Sequence, residues 1–168
     1  MLANGGRYMD DGDGVAIPVE QAGDIHPKLR ELHRFWERKR AHRPLPRRGD
    51  FDVIELWPWL GNLMMLEVEG GGSDYVYRVY GTTIADYFSR DLTGRRTSSL
   101  AADVQAVVRA EYREAVGNVR PIIVTRARSV QMKRIRASKL ILPLGPDRGA
   151  VDHLLVGLYL ATTADRPL

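Results

Sequence analysis

The chain has no cysteine among its 168 residues. Thiol catalysis, thiolate metal sites and disulfide staples are therefore excluded. No apolar run approaches the roughly 20 residues of a membrane span. The opening stretch, MLANGGRYMDDGDG, lacks the apolar core of a secretory signal. A cytoplasmic chain without a membrane segment is the expectation. Histidine is scarce, and His26 and His33 stand seven apart, with no HxxxH or HExxH anywhere. GxSxG and GxxxxGK[ST] are also missing, and Ser98-Ser99 fall in a turn. Asp10, Asp11 and Asp13 begin like a calcium loop, but its twelfth position, where a glutamate is needed, is Gln21. The sequence thus predicts no enzyme and no metal site, and it requires no cofactor.

What is present is one domain's length of chain and an uneven positive charge. The formal net charge is only +4. Residues 28–48, however, carry nine Lys and Arg against Glu31 and Glu37. A second basic stretch holds Arg126, Arg128, Lys133, Arg134, Arg136 and Lys139. Such a field attracts anions, whether phosphates, acidic proteins or nucleic acid. Its ordinary meaning is a solvated helix face and a charged sheet edge.

Residues 1–23, rich in Gly and Asp, read as a flexible tail, with 12–20 a weak candidate for an edge segment. A helix is predicted from Asp24, with Asp24 as its cap and Pro27 in its first turn, ending before Pro44. Ile25, Leu29, Leu32 and Trp36 form one apolar stripe on it. That stripe buries either against the domain's own sheet or against the same helix of a second chain, which makes it the expected dimer or partner surface. A proline- and arginine-rich arm follows, with Arg43, Arg47 and Arg48. One or two helical turns are expected over 52–57, stopped by Pro58. Trp57, Trp59 and Leu60 then supply a bulky patch of core-anchor type.

From residue 62 the period changes to two. NLMMLEVE and YVYRVY read as a strand pair joined by the loop Gly70-Gly71-Gly72-Ser73-Asp74. That loop joins two strands and does not open a helix, so it is a turn, not a phosphate cradle. A short helix over 82–88 and a longer one over 101–116, stopped by Gly117, come next. Strands over 119–128, 132–144 and 151–161 close the chain. Two strands, a helical insert and three strands argue an α+β fold with an antiparallel sheet, not a doubly wound one. The expected division is a tail at 1–23, helix and arm at 24–61, a core at 62–162 and a second tail at 163–168.

This order resembles a PAS domain: a five-stranded antiparallel sheet with a helical insert between strands 2 and 3, here with an added N-terminal amphipathic helix. At residue level the chain is similar to a bacterial family of small, mostly stand-alone PAS-like proteins. In that family a tryptophan-bearing helix precedes L-P-x-R-x-D-F-D, a strand ends in Y-R-x-x-G-T, and a D-L-T-G turn follows. The matching residues are Trp36, Leu45–Asp52, Tyr77–Thr82 and Asp91–Gly94. The family often has a proline after the F-D pair, where this chain has Val53. The resemblance implies a sensory or regulatory module for signal transduction that binds a small ligand, a signalling protein, or both, as a homodimer. Flavin photosensing through a reactive cysteine is ruled out.

Ligand-binding candidates are Arg78, Tyr80, Tyr87, His153 and Arg48. Alternation puts Val76, Arg78 and Tyr80 on one strand face, and Tyr75, Tyr77 and Val79 on the other. An arginine facing the hollow needs a carboxylate or phosphate, or an internal partner such as Asp86 or Asp91. His153, in an apolar strand, is the one histidine placed for haem, although a satisfied strand histidine is the commoner case. Two alternatives stand beside the sensor reading. One is an anion or nucleotide-messenger binder using Arg43, Arg47 and Arg48. The other is sequence-independent nucleic-acid binding through the basic helix, weakened because only Phe35 and Trp36 supply aromatics there.

Overall fold

The computed structural model describes residues 14–130 and 133–162; the side chains of 128–134 and 162 stand outside that description. Most of the first tail, the whole of the second, and the strand start expected at Met132 therefore lie outside the described residues.

Among the described residues, six antiparallel strands form one sheet in the order β1-β4-β5-β6-β2-β3. They are β1 (Ala16–Pro18), β2 (Leu63–Glu69), β3 (Asp74–Tyr80), β4 (Ile122–Val130), β5 (Lys133–Leu144) and β6 (His153–Thr162). The expected count of five is corrected by β1, whose three residues pair with Ile122–Val124. It is too short to show a period, and Pro18 fits only because β1 is an edge strand. The helices are α1 (Pro27–Arg40), α2 (Val53–Leu56), α3 (Thr82–Phe88) and α4 (Ala102–Asn118). The last two fill the insert between β3 and β4.

Local chemistry moves several boundaries. Pro27 is the first residue of α1, so the cap is His26 and not Asp24; the His26 Nδ1 accepts from the Lys28 backbone N–H. Asp52 caps α2 through the Ile54 N–H at 2.7 Å. Pro58 does not stop the chain's helical path, because a 3-10 turn spans Trp57–Asn62 with Pro58 in its first turn, where a missing N–H costs nothing. Gly117 does not end α4 either; the helix runs on to Asn118 and Val119 takes the left-handed cap, φ 52°. Between β2 and β3 the three glycines take φ of 54°, 65° and 105°, a path open to residues without a Cβ.

α1 lies across β5 and β6. Leu29 and Leu32 reach so near Gly157 that a Cβ there would stand 2.8–2.9 Å from them. The Trp36 indole N–H donates to the Pro143 carbonyl at 3.0 Å. α4 covers the other face, so the sheet is a central layer. One apolar core runs from Val19 to Leu158 and includes the α1 stripe, crossing the expected division at residue 61.

The insert is tied to the sheet at Asp74. Its carboxylate accepts from the Thr97 and Ser98 hydroxyls at 2.6 and 2.5 Å, and from the Ser98 N–H at 3.1 Å. Burial pushes this carboxyl up, but the Ser98 and Thr97 hydroxyls, with the Tyr75 and Ser98 N–H groups, outweigh it and bring it down to about 2. A value depressed below the unfolded 3.8 stabilises the fold above that pH, and the contribution fades as pH falls toward 2. Asp74→Asn is expected to cost about 1–2 kcal/mol at neutral pH. In urea titrations the gap to the parent should close on acidification through that window; a gap independent of pH would refute the assignment.

Candidate functional site

Two spaces open in this fold. The first is the hollow between the sheet and the insert. Glu111, buried on the sheet-facing side of α4, is gripped from two strands. Lys139 Nζ on β5 lies 2.6 Å from one carboxylate oxygen, and Arg126 on β4 lies 2.7 Å from the other. Burial pushes the Glu111 carboxyl up, yet the Lys139 ammonium and Arg126 guanidinium prevail and hold it below the usual carboxylate range. The Lys139 ammonium also sits 5.8 Å from the Tyr112 ring centre. The Tyr112 hydroxyl is 3.3 Å from that of Tyr77. Phe88, Val124, Ala137 and Leu158 complete the lining. What remains open is a cavity of about 20 Å³, room for about one water.

The second place is outside. A groove of about 510 Å³ is lined by Trp57, Leu60, Gly61, Val79, Tyr80, Gly81 and Thr82. It exists because β3 is an edge strand and the 3-10 turn before β2 packs beside its end. Gly61 and Gly81 touch there so closely that a Cβ on Gly81 would stand 2.3 Å from the Gly61 carbonyl oxygen. Beside the groove, α2 buries Leu56 but turns Val53 and Ile54 to solvent, and Trp57, which follows it, is exposed as well. Val53 is 58% exposed, Ile54 80% and Trp57 73%. The expectation of a tryptophan core anchor holds for Trp59, whose indole N–H donates to the Lys28 carbonyl, and fails for Trp57.

The sequence-predicted residues are scattered. Arg78 is the extra residue of a bulge, since Met65 pairs with Val79 while Leu66 pairs with Tyr77. The bulge breaks the alternation. Arg78 is exposed and pairs with Glu67 at 2.7 Å, not with Asp86 or Asp91, and Tyr80 packs edge-on against Tyr77. Tyr87 is exposed against Phe88. His153 opens β6 with its Nδ1 2.9 Å from Asp152, and it lines neither the hollow nor the groove. Arg48 donates to the Phe51 carbonyl. Of the five, Tyr80 alone lines either place.

The arm's arginines are largely matched from within. Arg43 pairs with Asp50 at 2.6 Å and Arg47 with Asp147 at 2.5 Å, which pins the arm to the loop between β5 and β6. Ile25, Leu29, Leu32 and Trp36 are buried inside the chain against its own sheet. The stripe is therefore corrected from partner surface to core. Sequence reasoning missed Glu111 and the exposure of Trp57, and it put Arg126 and Lys139 in a basic stretch without their shared partner. The first of these carried a signal: Glu111 is an acid on the helix face of Val104, Val108 and Ala115.

Among the described residues no group of three or more His, Asp or Glu could hold a metal ion. No described helix is long and apolar enough to cross a membrane. A family model described as a PAS domain matches residues 25–160. No curated protein matches the chain.

Proposed function

This chain belongs to the PAS domain family, and on that premise we propose that it is a non-enzymatic regulatory module that works by docking a protein on its outer groove. The observation that carries this reading is the contrast between its two spaces. Small-molecule pockets usually hold about 300–1,000 Å³. The inner hollow, about 20 Å³ and filled by the Glu111 ion pairs, is far below that range; the apolar groove beside Trp57, about 510 Å³, falls within it but opens outward beside the exposed Val53, Ile54 and Trp57. Exposed, contiguous apolar surface of this kind marks interaction sites. In this reading a homodimer uses a surface other than the α1 stripe, which is buried within the chain.

A photo-crosslinking residue at position 54, expressed in the native host, tests the reading. The expected result is an adduct of one discrete mass, absent when the probe replaces Glu114 on the far side of α4 and lost on adding Trp57→Ala. Equal labelling from both positions would count against docking. A small molecule released on denaturing the purified protein would instead favour ligand sensing.

A further inference from the structure

We propose that the occupant of this surface is an acidic amphipathic helix of a partner protein. The proposal rests on the docking reading and adds the partner's chemistry. The apolar surface of α2 lies alongside α1. Lys39 pairs with Glu55 at 2.7 Å. The Phe35 ring meets Phe51 and Trp59, on either side of α2 in sequence, at 5.7 and 5.5 Å between centres. The Arg38 guanidinium sits over that same Phe35 ring at 5.5 Å. Arg38 thus flanks the aromatic cluster that joins α1 to the segment carrying α2, and Arg34, one turn earlier, lies on the same solvent side of α1.

The acids on α1 and around α2 are already engaged. Glu55 pairs with Lys39, Glu31 with Lys28 and Glu37 with Arg40, while Asp52 caps α2. Arg34 and Arg38 are exposed, and neither makes an ion pair among the described residues. The groove lining carries no charged side chain. The surface therefore offers an apolar channel with a cationic border on one side. A helix complements it by laying apolar side chains along Ile54 and Trp57 and setting carboxylates one turn apart against the two arginines. The groove is concave between Trp57, Val79 and Tyr80, which suits side chains inserted from a partner helix.

The test uses the full chain and two synthetic helical peptides with one shared leucine stripe, their polar faces made of glutamate in one and lysine in the other. Binding is followed by tryptophan fluorescence and heteronuclear NMR at low and high salt. The glutamate peptide is expected to bind about tenfold more tightly at low salt, with the advantage shrinking as salt rises. Arg34→Glu with Arg38→Glu should reverse the preference, and Trp57→Ala should weaken both peptides. Equal affinities, or a preference untouched by the arginine swap, overturn the acidic partner while leaving docking to the crosslinking result. Binding of neither peptide overturns it as well. So does arginine-dependent binding to anionic phospholipid vesicles without a peptide preference, which would assign the surface to a membrane.

Discussion

Glu111→Ala is expected to lower stability by about 3–5 kcal/mol, the usual cost of breaking a buried ion pair from one side. That is a large share of the roughly 5–15 kcal/mol that holds a domain folded. The variant removes the carboxylate against which Lys139 is buried, and it strips Arg126 of its partner in the same stroke. Lys139 suffers more, because Arg126 is the more exposed of the two. Glu111→Gln should be nearly as costly, since it keeps the shape and loses the charge. Glu111→Leu combined with Lys139→Met should recover part of the loss, because the buried ammonium goes with the carboxylate and only Arg126, the more exposed of the two cations, is left without its partner. Urea unfolding of the four proteins measures this. A double variant no better than Glu111→Ala would show that the cost comes from packing and not from the pair. The pH sign follows from the depressed Glu111 value: its contribution is full above the unfolded value of 4.5 and is lost as pH falls through the folded one.

The same residues show where sequence reading reached and where it stopped. Periodicity was sufficient for α1, α4 and the paired strands, because each buries one face and therefore repeats. The apolar stripe of α1 was legible, but its destination was not. Whether Leu29 and Leu32 meet a sheet in the same chain or a second chain depends on Gly157, far away in sequence, which opens the sheet to α1. The bulge at Arg78 was invisible because a single extra residue has no composition of its own, and it shifts Tyr80 off the predicted face. The tryptophan patch failed for a related reason. Trp57 and Trp59 are two apart on a 3-10 turn, so they point in different directions, and neighbours cannot say which is inward. The arm's arginines looked available for a ligand until Asp147, a hundred residues on from Arg47, came beside them. Elements set by local pattern were readable, whereas sites set by long-range meeting were not.

Trp36 and Trp57 then make opposite predictions. Trp36 is 2% exposed, and its indole is covered by the Arg40 guanidinium at 5.7 Å and by the His33 ring at 6.2 Å. Trp36→Ala should cost about 3–5 kcal/mol, as truncation of a buried aromatic does, with the Pro143 carbonyl left without its donor as part of that loss. Trp36→Phe keeps most of the packing and gives up the hydrogen bond, so a smaller loss of about 1–2 kcal/mol is expected. Trp57→Ala should change stability by no more than about 0.5 kcal/mol, because little of the ring is buried by folding. Thermal and urea unfolding of the three variants separates a residue that holds α1 to the sheet from one kept for an interface. If Trp57→Ala proved as damaging as Trp36→Ala, the ring would belong to the core, and both the docking reading and its acidic partner would fall together.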